Sequence, residues 1–161
     1  MRVRIHREGI NIILALVLIL VVVCATAYLF VPSFIASAIL WAISAVILCL
    51  VINFFRSPAR VFKGDKEGIV VSSADGTVVA LEEVEEKEFL NRKAIQLSVF
   101  MSVFNVHANW YPVEGDVEKV KYQPGRFRAA YLPKSSSENE HSSIVIKTES
   151  GERILVRQIA G

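Results

Sequence analysis

The 161-residue chain is 53% hydrophobic and 21% charged, with a formal net charge of +2. The average hides a division: no Asp, Glu, Lys, Arg or His occurs between positions 9 and 55, a run of 47 residues, whereas 56–161 carries 15 acidic and 15 basic residues. This pattern excludes an ordinary soluble single domain and a polytopic transporter, and the near-neutral balance gives no reason to expect nucleic acid as a partner.

In chain order, residues 1–9 form a basic N-terminus with Arg2, Arg4 and Arg7. The uncharged run follows, about twice the ~20 residues one bilayer crossing needs. Pro32-Ser33 divides it into two segments, 10–31 and 34–55, each expected to be a transmembrane helix, with a tight turn at the proline. Arginines precede the first segment, and Arg56, Arg60 and Lys63 follow the second, while the turn is uncharged. Both ends of the hairpin are therefore expected on the cytoplasmic side of the inner membrane. Ala38, Ala42 and Ala45 share one side of the second helix and are expected to pack against the first. With no buried charge the hairpin offers no transport path and reads as an anchor. Cys24 and Cys49 fall inside it as small apolar residues, with no disulfide or metal-ligand spacing.

Beyond Arg56 the apolar period changes to two. Short strands are expected at 68–71, 77–81, 95–100, 117–122, 143–147 and 153–157, with turn signals at Asp75-Gly76, Glu114-Gly115 and Ser150-Gly151. The fold class is thus a two-helix transmembrane hairpin followed by an antiparallel β-rich domain, 56–161, forming an incomplete barrel or sandwich. The only helical signal in this half is weak, a turn or two over 82–90. The cluster Glu82, Glu83, Glu85, Glu86 and Glu88 lacks calcium-loop spacing and reads as a solvated face rather than a metal site. Asp75-Gly76 reads as a hairpin turn, and His107 is a lone titratable group among apolar neighbours. Spacing alone leaves open whether either carries chemistry.

Five stretches change that. Ile5-His-Arg-Glu-Gly precedes the first helix, Asn53-Phe-Phe-Arg-Ser-Pro follows the second, and Ser73-Ala-Asp-Gly comes next. Val99-Phe-Met-Ser continues through Asn105-Val-His-Ala-Asn, and Tyr122-Gln-Pro-Gly through Lys134-Ser-Ser-Ser-Glu-Asn-Glu to Arg157-Gln-Ile-Ala-Gly. In their order and spacing the chain resembles the short bacterial and archaeal type of phosphatidylserine decarboxylase over essentially its whole length. Ser73, Val103, Trp110 and His141 depart from residues common in that family.

The resemblance implies pyruvoyl chemistry. A precursor cleaves itself between Gly and Ser, the Ser becomes a pyruvoyl group, and this group accepts electrons as phosphatidylserine loses CO2 to give phosphatidylethanolamine. Asp75 and His107 match the family's acid–base residues. His107 would take the serine hydroxyl proton during self-cleavage, and Asp75 would fix the ring's tautomer and stabilise the imidazolium. Substrate contacts are expected from Lys134, Ser135, Ser136 and Asn139, with anionic membrane lipid as a second partner.

No Gly here is followed by Ser. The chain therefore reads as a truncated proenzyme, inactive alone and needing a complementary pyruvoyl-bearing chain, with an open sheet edge that favours self-association into a homo-oligomer. The competing reading is a non-catalytic membrane-anchored β-domain that acts as a scaffold or partner-binding module.

Overall fold

The computed structural model describes residues 3–65, 68–129 and 135–161. The chain divides into two compact units: Met1–Val61 with Met101–Ala108, and Phe62–Phe100 with Asn109–Gly161.

In the first unit, the apolar run folds as α1, Arg7–Phe30, and α2, Phe34–Phe54. Helix α1 starts three residues before the expected span. Hydropathy marks where the apolar stretch begins, whereas the helix is started by its cap: the Glu8 N–H donates to His6 Nδ1 at 3.4 Å, and Glu8 adds a favourable acid to the first turn. Pro32 lies between the helices, and the Ser33 hydroxyl oxygen caps α2 by accepting from the Ala36 N–H.

The small-residue contact differs from expectation. Ser37 and Ser44 are the buried positions of α2, while Ala38, Ala42 and Ala45 are exposed. The Ser37 hydroxyl donates to the Ala27 carbonyl at 3.4 Å and the Trp41 indole N–H to the Cys24 carbonyl at 3.3 Å. Ser37 and Trp41 thus join the helices through cross-helix hydrogen bonds, which alanine has no side-chain donor to make. The outward surface is apolar on nearly every turn, Leu18 being 66% exposed.

Two short strands close the hairpin's open end. β1, Val3–Ile5, pairs antiparallel with β2, Arg56–Pro58, and the His6 N–H donates to the Phe55 carbonyl at 2.8 Å. Gly9 is buried here because a Cβ would overlap the Phe55 ring.

In the second unit, β3, Thr77–Glu86, pairs antiparallel with β4, Arg92–Phe100. A three-stranded antiparallel sheet places β6, His141–Lys147, between β5, Asp116–Gln123, and β7, Arg153–Ile159. A four-residue helix α3, Ser135–Glu138, precedes β6. Central β6 is the buried strand: Ile146 is 1% exposed, and Val145 and Ser143 are also buried. The described strands form no closed barrel.

Five of the six expected strands fall inside observed ones, but 68–71 is not a strand. Its one sheet-like bond runs from the Val71 N–H to the Pro112 carbonyl at 3.0 Å, and a proline has no N–H with which to continue a ladder. Asp75-Gly76 is consequently not a hairpin turn but the entry to β3. The weak helical signal at 82–90 is also overridden. β3 runs through Glu86 because Glu85 and Glu86 face Lys93 and Arg92 across the hairpin.

The hairpin turn is organised by Glu86, whose carboxylate accepts from the N–H groups of Glu88, Phe89 and Leu90 at 3.1, 2.8 and 2.6 Å. Asn91 completes it at φ 51, a left-handed conformation that Asn tolerates. Phe89 is buried, with Lys119, Lys121 and Arg157 over its ring, and Glu88 pairs with Lys121 at 2.6 Å and Arg157 at 3.0 Å.

Burial pushes the Glu86 carboxyl up, but the three backbone donors and Arg157 outweigh it and hold the group below its ordinary value of 4.5. A depressed carboxyl stabilises the fold fully above pH 4.5 and loses that contribution as pH falls through the lowered value. Glu86→Gln is expected to lower stability by about 1–2 kcal/mol near neutral pH. The difference from the parent should shrink in acid, as read from urea unfolding at both pH values.

Candidate functional site

His107 sits in the loop 101–108 of the first unit, at the C-terminal end of α2. Its ring stacks on Phe54, the last residue of that helix, with centroids 4.2 Å apart and planes 28° apart. Its Nδ1 lies 3.3 Å from the Asn105 carbonyl. A carbonyl oxygen only accepts, so Nδ1 carries the proton, and in the neutral ring Nε2 is left with the lone pair of a base.

The loop is built to hold that ring. The Asn105 side-chain oxygen accepts from the Ser102 N–H and hydroxyl, both at 2.8 Å, and the Asn105 N–H donates back to the Ser102 carbonyl at 2.9 Å. Arg56 then ties the loop to the helix. Its guanidinium donates to the Asn53 carbonyl at 2.7 Å and to the Phe104 carbonyl at 2.8 Å. The first bond also places a cation on the open carbonyls of the helix C-terminus.

Asp75 belongs to the second unit and is half-buried. The preceding turn is closed by Ser72, whose hydroxyl donates to the Ala74 carbonyl at 2.8 Å, and Ala74 forms an antiparallel bridge with Asn109. Gly76 follows, and any Cβ there would collide with the Phe100 carbonyl oxygen. Glycine is needed at 76 by this close approach, and it fixes the backbone that presents Asp75.

The expected headgroup residues divide. Lys134 lies outside the described residues, and Ser135 and Ser136 open α3. Asn139 has a different occupation. It is 1% exposed, its Oδ1 accepts from the Arg128 N–H at 3.0 Å, and its Nδ2 donates to the carbonyls of Arg128 and Ala160 at 2.6 and 2.5 Å. With its amide committed to three backbone groups, Asn139 is a structural tie rather than a headgroup contact.

Sequence reasoning missed Phe54 and Arg56 as supports of the histidine. Arg56 was legible only as a flanking charge, and the signal was the Asn53-Phe-Phe-Arg-Ser-Pro string directly after the apolar run.

The sequence model of the family described as phosphatidylserine decarboxylase matches residues 47–161, which include both Asp75 and His107. The phosphatidylserine decarboxylase proenzyme of Parabacteroides distasonis is 52% identical over 158 residues, covering 98% of this chain and 72% of the relative. The chain belongs to the phosphatidylserine decarboxylase family. Proenzymes of the same description from Bacteroides thetaiotaomicron and Porphyromonas gingivalis are 46% and 48% identical, covering 99% and 98% of this chain and 70% and 72% of their own lengths. The likeness to these decarboxylase proenzymes therefore takes in the two apolar helices as well as the sheets. No solved structure matches the chain.

Proposed function

We propose that this member of the phosphatidylserine decarboxylase family supplies the membrane anchor and the acid–base pair of a pyruvoyl-dependent enzyme that converts phosphatidylserine to phosphatidylethanolamine and CO2. The observation that carries the reading is the state of His107: Nδ1 faces a carbonyl, the ring is braced on Phe54, and Nε2 is left as the base.

None of the eight glycines is followed by serine, so the pyruvoyl precursor residue is not among these 161 residues. The chemistry present nevertheless fits the making of such a group, because self-cleavage requires a base for a serine hydroxyl and His107 Nε2 is one. The pyruvoyl group itself supplies an electrophilic carbonyl and an electron sink.

In this proposal His107 accepts the hydroxyl proton and becomes an imidazolium, and the Asp75 carboxylate stabilises that charge. The tautomer-fixing part of the expected Asp75 role passes to the Asn105 carbonyl, which already holds Nδ1. Asp75→Asn is accordingly expected to slow self-cleavage of the full-length proenzyme by on the order of 10²-fold. A denaturing-gel time course would show the precursor band persisting, and processing at the parental rate would remove Asp75 from the scheme.

The same reading makes α1 and α2 membrane spans, both long and apolar enough to cross and with apolar side chains facing outward. Arg4, Arg7, Arg56 and Arg60 flank them, which favours the cytoplasmic side of the inner membrane and anionic lipid, by about 1 kcal/mol each near the surface. A site joined to such an anchor meets a substrate that stays in the bilayer at raised effective concentration. The complementary pyruvoyl-bearing chain would complete the sheets, whose outer strands β5 and β7 each have one unpaired edge among the described strands.

A further inference from the structure

We propose that Val103 and Phe104, the tip of the loop that carries His107, insert into the lipid bilayer beside the helix pair. The proposal rests on the reading of α1 and α2 as membrane spans. Its basis is the way the turn is built. Ser102 and Asn105 bond to each other and close the turn with their polar groups, which leaves the two apolar residues between them projecting, 64% and 66% exposed.

Arg56 holds the tip in place. Arg56 donates to both the Asn53 carbonyl in the last turn of α2 and the Phe104 carbonyl, so the tip lies within one guanidinium of the end of an apolar helix. The β1–β2 pairing brings Arg4 and half-exposed Ile5 to this same end of the hairpin, and Arg7 opens α1 there. Projecting Val and Phe side chains at the end of the hairpin that also carries Arg4, Arg7 and Arg56 match one partner chemistry, the boundary between acyl chains and anionic phosphates. A protein partner would have to bury the arginines as well as the tip. Inserted in lipid, the tip would fix the height of the His107 ring, because loop and ring are fastened to the same helix turn.

The test places nitroxide labels on Val103→Cys and, separately, Leu18→Cys in the full-length protein carrying Cys24→Ala and Cys49→Ala. The protein is reconstituted in phosphatidylethanolamine–phosphatidylglycerol vesicles. Collision with dissolved oxygen and with a water-soluble nickel chelate is then measured for each label. Both labels are expected to favour oxygen, with 103 shallower than 18. Oxygen preference at 18 but nickel access at 103 overturns the insertion and leaves the spans standing. Nickel access at both positions overturns both readings. A label at 103 shielded from both reagents means that protein covers the tip, which also overturns the proposal. In the full-length enzyme, Phe104→Ser is expected to raise KM for vesicle phosphatidylserine by about tenfold, the scale of losing one buried aromatic side chain. Its KM for a water-soluble short-chain phosphatidylserine should stay unchanged, and Phe104→Leu should restore the vesicle KM. Equal losses on both substrates would overturn the proposal.

Discussion

His107→Ala is expected to leave the full-length proenzyme as a single uncleaved band on a denaturing gel, with no pyruvoyl group and no decarboxylation. In the proposed mechanism the variant removes the acceptor for the serine proton, and general-base catalysis of this kind is worth about 10²–10⁴-fold. Self-cleavage is a single turnover on which all later activity depends, so slowing it this far is equivalent to losing the enzyme. Phe54→Leu separates the base from its brace. It removes the ring stacked at 4.2 Å but leaves both imidazole nitrogens and the Asn105 carbonyl in place. Processing of that variant is expected to be slower but complete, because the ring then samples orientations that the stack excludes. Normal processing of His107→Ala would take this residue out of self-cleavage altogether.

The largest expected effect on stability comes from Asn139→Ala. One amide joins three backbone groups: the N–H and carbonyl of Arg128 and the carbonyl of Ala160. Truncation strands all three at a position that is 1% exposed. At about 1–3 kcal/mol for a buried polar group left unpaired, and with partial relaxation, a loss of about 3 kcal/mol is expected. Asn139→Asp makes the mechanism visible. The carboxylate still accepts from the Arg128 N–H but turns an oxygen toward two carbonyls, so it should be at least as damaging as alanine near neutral pH. Thermal unfolding of the detergent-solubilised chain measures both, and a parental midpoint for Asn139→Asp would show that the amide is not the tie.

Much of the architecture could be read from the residues because the strongest signals were local. Forty-seven uncharged residues broken at Pro32 yield two helices without reference to anything distant. Alternating runs likewise located the strands of the two sheets in the second unit, though not the short pair β1–β2. The failures are all questions of partnership. Residues 68–71 look like a strand by composition, but a strand needs a ladder, and Val71 meets a proline. Glu82–Glu86 hints at a helical turn by composition, and although the run is solvated as expected, its register with Arg92 and Lys93 makes it a strand. On α2 the buried positions are Ser37 and Ser44 rather than the alanines, and at Ser37 a hydrogen bond to the facing backbone, which composition does not reveal, makes the contact.

The site was legible only through motifs. Spacing left Asp75 as a turn residue and His107 as a lone histidine, and a resemblance supplied the roles proposed for them. That route carried Asn139 along as a polar residue in a polar string, where burial shows a structural part. It also gave no weight to Phe54, since an aromatic at the end of an apolar run is unremarkable until a ring is found lying on it.

The pairing of β1 with β2 bears on biogenesis. The second partner, Arg56–Pro58, is synthesised a whole hairpin after the first, so the handshake Val3↔Pro58, Arg4↔Ser57, Ile5↔Arg56 waits until both helices exist. In a bilayer it can then form only when the two ends emerge on the same face. A chain with one helix reversed or left outside would miss these pairs, and Arg56 would lose the strand that orients it toward the loop of the histidine. On the proposed reading of α1 and α2 as spans and of His107 as the base, insertion would then precede maturation, because the loop that carries His107 is tied down through Arg56 at the end of the completed hairpin.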